Sequence, residues 1–165
     1  KHHSFMGPLN MGLCRGLNLL LGMSILVPSL QQWYFLGIIP VIYIFSITMI
    51  SRGEVHGISK RNLYTGGVLY FLVTGAILYY SFIREQLMLT LAFILPFAWM
   101  IFKPLLTAIA DPVGRNIGKA VKAGVISLIL MDAAWAAASG AWYAALLIAS
   151  LLPFSLWLAK RFAVT

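Results

Sequence analysis

The sequence predicts an all-α fold, a polytopic transmembrane helical bundle of about six spans. Of its 165 residues, 61% are hydrophobic and only 10% are charged. Soluble domains average about 25% charged residues, so this chain has too few polar side chains to cover a surface that faces water. The chain also contains a series of apolar runs, each close to the length of about 20 residues that a helix needs to cross a bilayer.

Short polar or helix-breaking segments divide the chain into six such runs. The predicted spans are residues 9–29, 31–50, 63–82, 86–106, 117–138 and 141–158. Prolines lie inside three of them, at positions 40, 96 and 153, where neighbouring helices can accommodate the resulting kinks. We interpret residues 1–165 as a single transmembrane domain.

The distribution of basic residues predicts the orientation of the spans. The chain has 12 Lys and Arg residues against four acids, a net charge of +8. With six spans, both chain ends and the second and fourth loops share one side, which collects ten of the 12 basic residues. Arg15 lies inside the first span, nearer to that side, and the other side has Arg84 alone. Cytoplasmic loops are enriched in Lys and Arg, so these loops and both ends are predicted to be cytoplasmic. Because the cations lie between apolar spans, we expect membrane lipids as partners and no nucleic acid.

Arg15, in the first span, is a polar residue that needs a partner. An arginine in the hydrocarbon core is costly unless it is paired, hydrated or able to snorkel to the headgroups. Asn18 follows three residues later, so a turn of about 100° per residue brings both onto one helix face, whereas Asn10 is expected at the cytoplasmic mouth. Guanidinium groups suit phosphate. Arg15 and Asn18 are therefore candidates for the wall of a phosphate-binding cavity, with snorkelling as the alternative, and Tyr43 is a further candidate by its depth.

The connector SRGEVHGISKR, residues 51–61, concentrates polar residues between the second and third spans. Its candidate binding residues are Arg52, Glu54, His56, Lys60 and Arg61. Magnesium on a diphosphate is commonly held by one or two carboxylates plus substrate oxygens, so Glu54 is a candidate metal ligand and the cations are candidates for phosphate. The alternative is a solvated turn that anchors two helices to anionic headgroups.

Two more acids lie further along the chain. Asp111 and Arg115 in the fourth loop are additional candidates for the cytoplasmic site, although an Asp before a proline is also typical of a turn. Asp132 lies inside the fifth span, towards the opposite side. An acid within a membrane is a functional candidate by default, but its distance from the cytoplasmic cluster leads us to expect a structural hydrogen bond.

Three blocks of sequence resemble a known family. They are GPLNMGLCRGLNLLLGMS (7–24), TMISRGEVHG (48–57), and the segment that begins KAVKAGVISLILMDAAWAA at position 119 and ends LAKRFAVT. These blocks are similar to the later part of UbiA-like membrane proteins of the EboC type, and the similarity covers essentially the whole chain. The resemblance implies an all-helical fold of about nine spans, of which this chain would be the C-terminal part.

For activity, the resemblance implies an intramembrane prenyltransferase. Such enzymes use Mg²⁺ and transfer an isoprenyl group from a prenyl diphosphate to an aromatic or other lipophilic acceptor. The connector stands where the family has its second aspartate-rich motif: Gly-Glu at 53–54 matches its Gly-Asp, while Ile50 replaces its leading Asp. The first motif would lie upstream of this chain. The resemblance makes Arg15, Lys60 and Arg61 contacts of the diphosphate.

The alternative function belongs to a different class. A UbiA-like protein without the transfer reaction would bind an isoprenoid or aromatic metabolite, or assist its export, as the similarity to EboC-type proteins also implies. A purely structural membrane subunit is a third class, which would leave the cost of Arg15 unexplained.

Overall fold

The computed structural model describes residues 6–25, 34–55 and 60–161. Within these ranges the chain forms six α-helices and one short 3-10 helix, without a strand. The helices are α1 (Met6–Met23), the 3-10 helix (Tyr34–Gly37), α2 (Ile38–Val55), α3 (Lys60–Ile83), α4 (Leu87–Ala110), α5 (Gly114–Ala138) and α6 (Trp142–Arg161). The predicted all-α bundle is confirmed.

Four of the described helical segments are long and apolar enough to cross a membrane. They are Tyr34–Arg52, Lys60–Ile83, Leu87–Ala110 and Gly114–Ala138. The apolar part of α6, Trp142–Leu158, is shorter, and α1 is an 18-residue helix that carries the polar residues Asn10, Arg15 and Asn18. The composition of the four segments indicates an integral membrane protein.

The helices extend into the connector from both sides. α2 continues to Val55 and α3 begins at Lys60, which leaves residues 56–59 outside the described part of the chain. Pro40 lies in the first turn of α2, where the missing N–H has no helical partner to lose. Pro96 and Pro153 lie inside α4 and α6, as the sequence predicted.

The core lies between α2, α3, α4 and α5. The ring of Tyr43 packs against those of Tyr70 and Phe97, with centroids 5.2 Å and 5.7 Å away, and all three rings are buried. The hydroxyl of Tyr43 donates to the carbonyl oxygen of Gly124 at 2.9 Å and shares a hydrogen bond with the hydroxyl of Ser127 at 2.8 Å. These bonds satisfy a polar group that would otherwise be unpaired in an apolar interior.

α1 packs closely against α2 through two glycines. A Cβ atom at Gly16 would lie 2.5 Å from Cγ2 of Val41 and 2.7 Å from the carbonyl oxygen of Gly37. A Cβ atom at Gly12 would lie 2.6 Å from the carbonyl oxygen of Val41. Small residues four positions apart allow membrane helices to approach at this distance. The two glycines therefore fix how α1 is turned relative to α2.

The two ends of the bundle differ in charge. The helices α2 to α6 pack in sequence order and are joined by short connections, which makes consecutive helices antiparallel. One end, which we call the basic end, contains the start of α1, the end of α2, the start of α3, the α4–α5 connection and the end of α6. Its described basic residues are Arg52, Lys60, Arg61, Lys103, Arg115, Lys119, Lys122 and Arg161.

Candidate functional site

A pocket of about 510 Å³ lies between α1, the entry to α2, α5 and α6. Its polar wall residues are Arg15, Asn18 and Asp132. The remaining wall is apolar and includes Met23, Met131 and Trp135. We call this cavity the Arg15 pocket. Its size, and its apolar wall with a few polar groups, are typical of small-molecule binding sites.

Arg15 and Asp132 form an ion pair on the wall of the pocket. Nη2 of Arg15 lies 3.1 Å from Oδ2 of Asp132 and donates a hydrogen bond to it. Each side chain keeps an exposed fraction of 41%, so the pair borders the open cavity and is not sealed in the core. A guanidinium has five N–H donors and a carboxylate has two acceptor oxygens, so this single bond leaves polar atoms of both groups available to a ligand.

The position of Arg15 follows from the contact between α1 and α2. Arg15 precedes Gly16 by one residue, or about 100° around the helix, so it lies beside the surface that packs against α2. α1 packs chiefly against α2, whereas α5 packs against α2, α4 and α6. The Arg15–Asp132 bond therefore bridges a cleft between two helices that are positioned by other neighbours.

The pocket is displaced from the basic end. On α1 its wall extends from Arg15 to Met23, the last residue of the helix, and on α2 it includes Pro40 in the first turn. Asp132 and Trp135 belong to the last two turns of α5. These segments are far along their helices from the end of α2 and from the α4–α5 connection.

Two of the sequence-predicted site residues meet in this pocket. Arg15 and Asn18 both line it, as their spacing of three residues predicted. Asn10 is exposed nearer the start of α1, beside a shallow groove that also includes Leu13. Local helix geometry was therefore a good guide to which residues of α1 share a face.

The placement of Tyr43 in the same cavity was wrong. Depth along a helix does not determine direction around it, and the side chain of Tyr43 points into the core, where its hydroxyl bonds to Gly124 and Ser127. Ser127 precedes Asp132 by five residues on α5, a rise of about 7.5 Å. Tyr43 therefore supports α5 below the pocket and does not line it.

Asp132 accepts a hydrogen bond, as expected. The donor is Arg15, the other charged candidate inside a predicted span. Sequence reasoning treated Arg15 and Asp132 separately because they are 117 positions apart. A signal was nevertheless present: each is a charged residue inside an apolar segment, and such residues commonly pair with one another.

The candidates in and next to the connector lie elsewhere. Arg52 is partly buried in the last turn of α2, and Lys60 and Arg61 are exposed in the first turn of α3. The backbone of Glu54 belongs to α2, but its side chain is outside the described part of the structure, and His56 lies outside the described residues altogether. The described cations of the connector are thus at the basic end and not in the Arg15 pocket.

Asp111 and Arg115 are exposed in and after the α4–α5 connection. The side-chain amide of Asn116 donates to the backbone carbonyl oxygen of Asp111 at 2.9 Å and to its carboxylate at 3.2 Å. The N–H of Asp111 donates to the carbonyl oxygen of Thr107. These local bonds are those of a turn that ends one helix and begins the next.

The acids with described side chains do not gather at one place. Glu85, Asp111 and Asp132 lie on the α3–α4 connection, the α4–α5 connection and α5. Within residues 6–25, 34–55 and 60–161, no group of three or more His, Cys, Asp and Glu residues could hold a metal ion. Magnesium therefore stays a prediction from the resemblance.

Comparison with known proteins does not assign a function to the pocket. No protein-family model, curated protein or solved structure matches the chain. The UbiA resemblance therefore remains an expectation from the quoted sequence blocks. A functional assignment rests on the residues of the pocket.

Proposed function

We propose that this chain belongs to a UbiA-like integral membrane protein that binds an isoprenoid or aromatic metabolite in the Arg15 pocket. The observation that carries this proposal is the Arg15–Asp132 ion pair on the wall of an otherwise mostly apolar cavity. The apolar wall suits an isoprenoid chain or an aromatic ring, and a few convergent polar groups fix the orientation of one headgroup.

The surroundings of Trp135 support an aromatic or isoprenoid ligand. Trp135 lines the pocket, and its ring packs against that of Tyr80 with the centroids 5.3 Å apart. A large side chain held by a neighbouring ring presents a rigid apolar surface, on which a flat or branched apolar group packs well.

The charge of the wall disfavours a headgroup with several negative charges. Asp132 neutralises Arg15, so a headgroup that replaces one hydrogen bond of the pair meets both a cation and an anion. A diphosphate would bring several negative charges beside the carboxylate of Asp132, and like charges in a cavity of low polarity repel strongly. The Arg15 pocket therefore suits a metabolite better than a prenyl diphosphate.

Prenyl transfer is the second candidate, and the basic end favours it. Arg52 lies in the last turn of α2, and Lys60 and Arg61 lie in the first turn of α3. The connector that resembles a diphosphate-binding motif thus contributes three described cations. A prenyl diphosphate bound there would give its isoprenyl group to a lipophilic acceptor, with release of diphosphate stabilised by the cations. The resemblance adds Mg²⁺, for which Glu54 stays the candidate ligand.

We further infer that the basic end faces the cytoplasm, because basic residues are enriched in cytoplasmic loops. The Arg15 pocket would then lie in the half of the bundle away from the cytoplasm. That position suits a protein that receives a lipophilic metabolite from the membrane or passes it towards the opposite side.

Equilibrium binding of tritiated farnesol to the full-length protein in lipid nanodiscs tests the proposal. We expect saturable binding that Arg15→Ala weakens by about tenfold, since the headgroup loses a hydrogen bond to a charged residue. Arg61→Ala, at the basic end, is the matched control and should leave binding unchanged. Partition that does not saturate, or equal loss in both variants, would contradict binding in the Arg15 pocket.

The same preparation distinguishes the second candidate. Release of diphosphate from farnesyl diphosphate, in the presence of Mg²⁺ and a lipophilic phenol, would support prenyl transfer. Sensitivity of that release to Arg61→Ala and not to Arg15→Ala would assign it to the basic end.

A further inference from the structure

The charges around the Arg15 pocket are few and balanced. On its wall, the described charged side chains are Arg15 from α1 and Asp132 from α5, while the 3-10 helix and α6 contribute Leu36 and Ile148. Tyr43 of α2 does not line the pocket, and its hydroxyl is hydrogen-bonded in the core. Among the residues that the structure describes, Arg15 is the charged partner of Asp132.

The other charged groups of the packed helices lie towards the two ends. The described residues at the basic end are Arg52, Lys60, Arg61, Lys103, Arg115, Lys119, Lys122 and Arg161, and those of the α3–α4 connection are Arg84 and Glu85. None of these groups lines the pocket, so an added negative charge there is compensated most directly by Arg15 or by a change at Asp132.

For a ligand with one negative charge, the residue that compensates the added charge can be named. If its anionic group pairs with Arg15 while Asp132 stays ionised, two negative groups share one guanidinium in a cavity with an apolar wall, where an uncompensated charge is costly. If Asp132 binds a proton, the pocket with its ligand is neutral again. The protonated carboxyl can also donate a hydrogen bond to the ligand.

We propose that the Arg15 pocket binds a lipophilic monoanion together with one proton, which is taken up by Asp132. This inference rests on the proposed function and specifies its ligand as an isoprenoid or aromatic molecule with one negative charge, such as a carboxylate. On binding, the Arg15–Asp132 bond opens, the proton passes from water to a carboxylate oxygen of Asp132, and Arg15 pairs with the ligand. No covalent bond of the ligand changes.

A pair of probes with the same chain tests the proton linkage. Farnesyl sulfonate stays ionised between about pH 5.5 and 8.5, whereas farnesol is neutral throughout, and both are titrated against the full-length protein in nanodiscs of zwitterionic lipid. We expect the Kd of the sulfonate to rise by up to about tenfold per pH unit where Asp132 is ionised in the empty pocket, because one proton is bound with each ligand. The Kd of farnesol should be independent of pH.

Two variants locate the proton. Asp132→Asn should remove the pH dependence of sulfonate binding and make binding tighter at pH 8, because Arg15 then has no competing anion. Asp111→Asn, which changes an exposed acid in the α4–α5 connection, should keep the wild-type profile. A pH-dependent profile that persists in Asp132→Asn would overturn the assignment to Asp132.

A measurement on the wild-type protein keeps the test independent of how the variants fold. In weakly buffered solution with a pH indicator, we expect about one proton to be taken up for each sulfonate bound well above the pKa of Asp132. Sulfonate binding without proton uptake or pH dependence would overturn the proton linkage but leave ligand binding in place. If neither probe binds saturably, the proposed function itself fails.

Discussion

Arg15 and Asp132 are 117 positions apart in the chain, yet Nη2 of Arg15 and Oδ2 of Asp132 lie 3.1 Å from each other across the cleft between α1 and α5. Either residue alone would be a costly charge inside an apolar segment, and each provides the partner that the other needs. Because both side chains remain 41% exposed, the bond borders a cavity that a ligand can enter. It is thus both a structural contact and the chemical feature of the pocket.

The first prediction concerns the energetic coupling of this pair. Arg15→Gln or Asp132→Asn alone leaves one charge uncompensated in the cleft, whereas the double variant leaves none. We expect the double variant to be more stable than the sum of the single effects predicts, with a coupling energy of about 1 kcal/mol. Unfolding in mixed detergent micelles measures the four free energies. Arg61→Gln combined with Asp132→Asn is the control and should be additive; additivity for the Arg15 pair would contradict the contact.

The second prediction concerns the close approach of α1 to α2. Gly16→Ala forces a Cβ atom against Val41 and the backbone of Gly37, so we expect a loss of about 1–3 kcal/mol in the free energy of unfolding. Farnesol binding should weaken as well, since this contact positions Arg15. At Gly75 a Cβ atom would meet nothing within 4 Å, and Gly75→Ala should be neutral or slightly stabilising. Equal effects at both positions would show that α1 does not pack as described.

The third prediction compares two buried tyrosines. The hydroxyl of Tyr43 bonds to Gly124 and Ser127, while the hydroxyl of Tyr70 is buried without a hydrogen-bond partner among the described residues. Tyr43→Phe should therefore reduce the free energy of unfolding by about 1 kcal/mol. Tyr70→Phe should be neutral or stabilising, since it removes a buried polar atom that gains no bond. Denaturation of both variants under the same conditions measures the difference, and a larger loss for Tyr70→Phe would contradict this account of the core.

The fourth prediction concerns the orientation in the membrane. In a Cys14→Ser background, a single cysteine is introduced at Ser139, in the α5–α6 connection, or at Arg115, at the basic end; both positions are exposed. A membrane-impermeant maleimide applied to intact cells should label Ser139→Cys at once and Arg115→Cys only after permeabilisation. The reverse pattern would mean that the bundle has the opposite orientation and that the Arg15 pocket lies on the cytoplasmic side.

Much of the fold could be predicted from the sequence because lipid imposes simple rules. A helix must be long and apolar to cross the bilayer. The six apolar runs correspond to the six helices of the described residues, of which four are long and apolar enough to cross a membrane, and the structure extends α2 and α3 into the connector. The shared face of Arg15 and Asn18 was equally accessible, since it depends only on the helical repeat.

The partner of Arg15 could not be predicted in the same way. It depends on how Gly12 and Gly16 turn α1 against α2, and on where that rotation points the side chain of Arg15 relative to α5. These are properties of packing between distant segments, which periodicity within one helix does not encode. Tyr43 was placed wrongly for the same reason. The sequence indicated its depth along the helix but not the direction of its side chain around the helix.

The central claim is that the Arg15 pocket binds a lipophilic metabolite, and photo-crosslinking tests it most directly. A farnesol analogue with a diazirine group is irradiated with the full-length protein in nanodiscs, and labelled residues are mapped by mass spectrometry. We predict labels on Met23, Met131 and Trp135 that excess farnesol removes and Arg15→Ala reduces. Labels confined to exposed outer residues such as Phe71, and unaffected by competition, would contradict the claim.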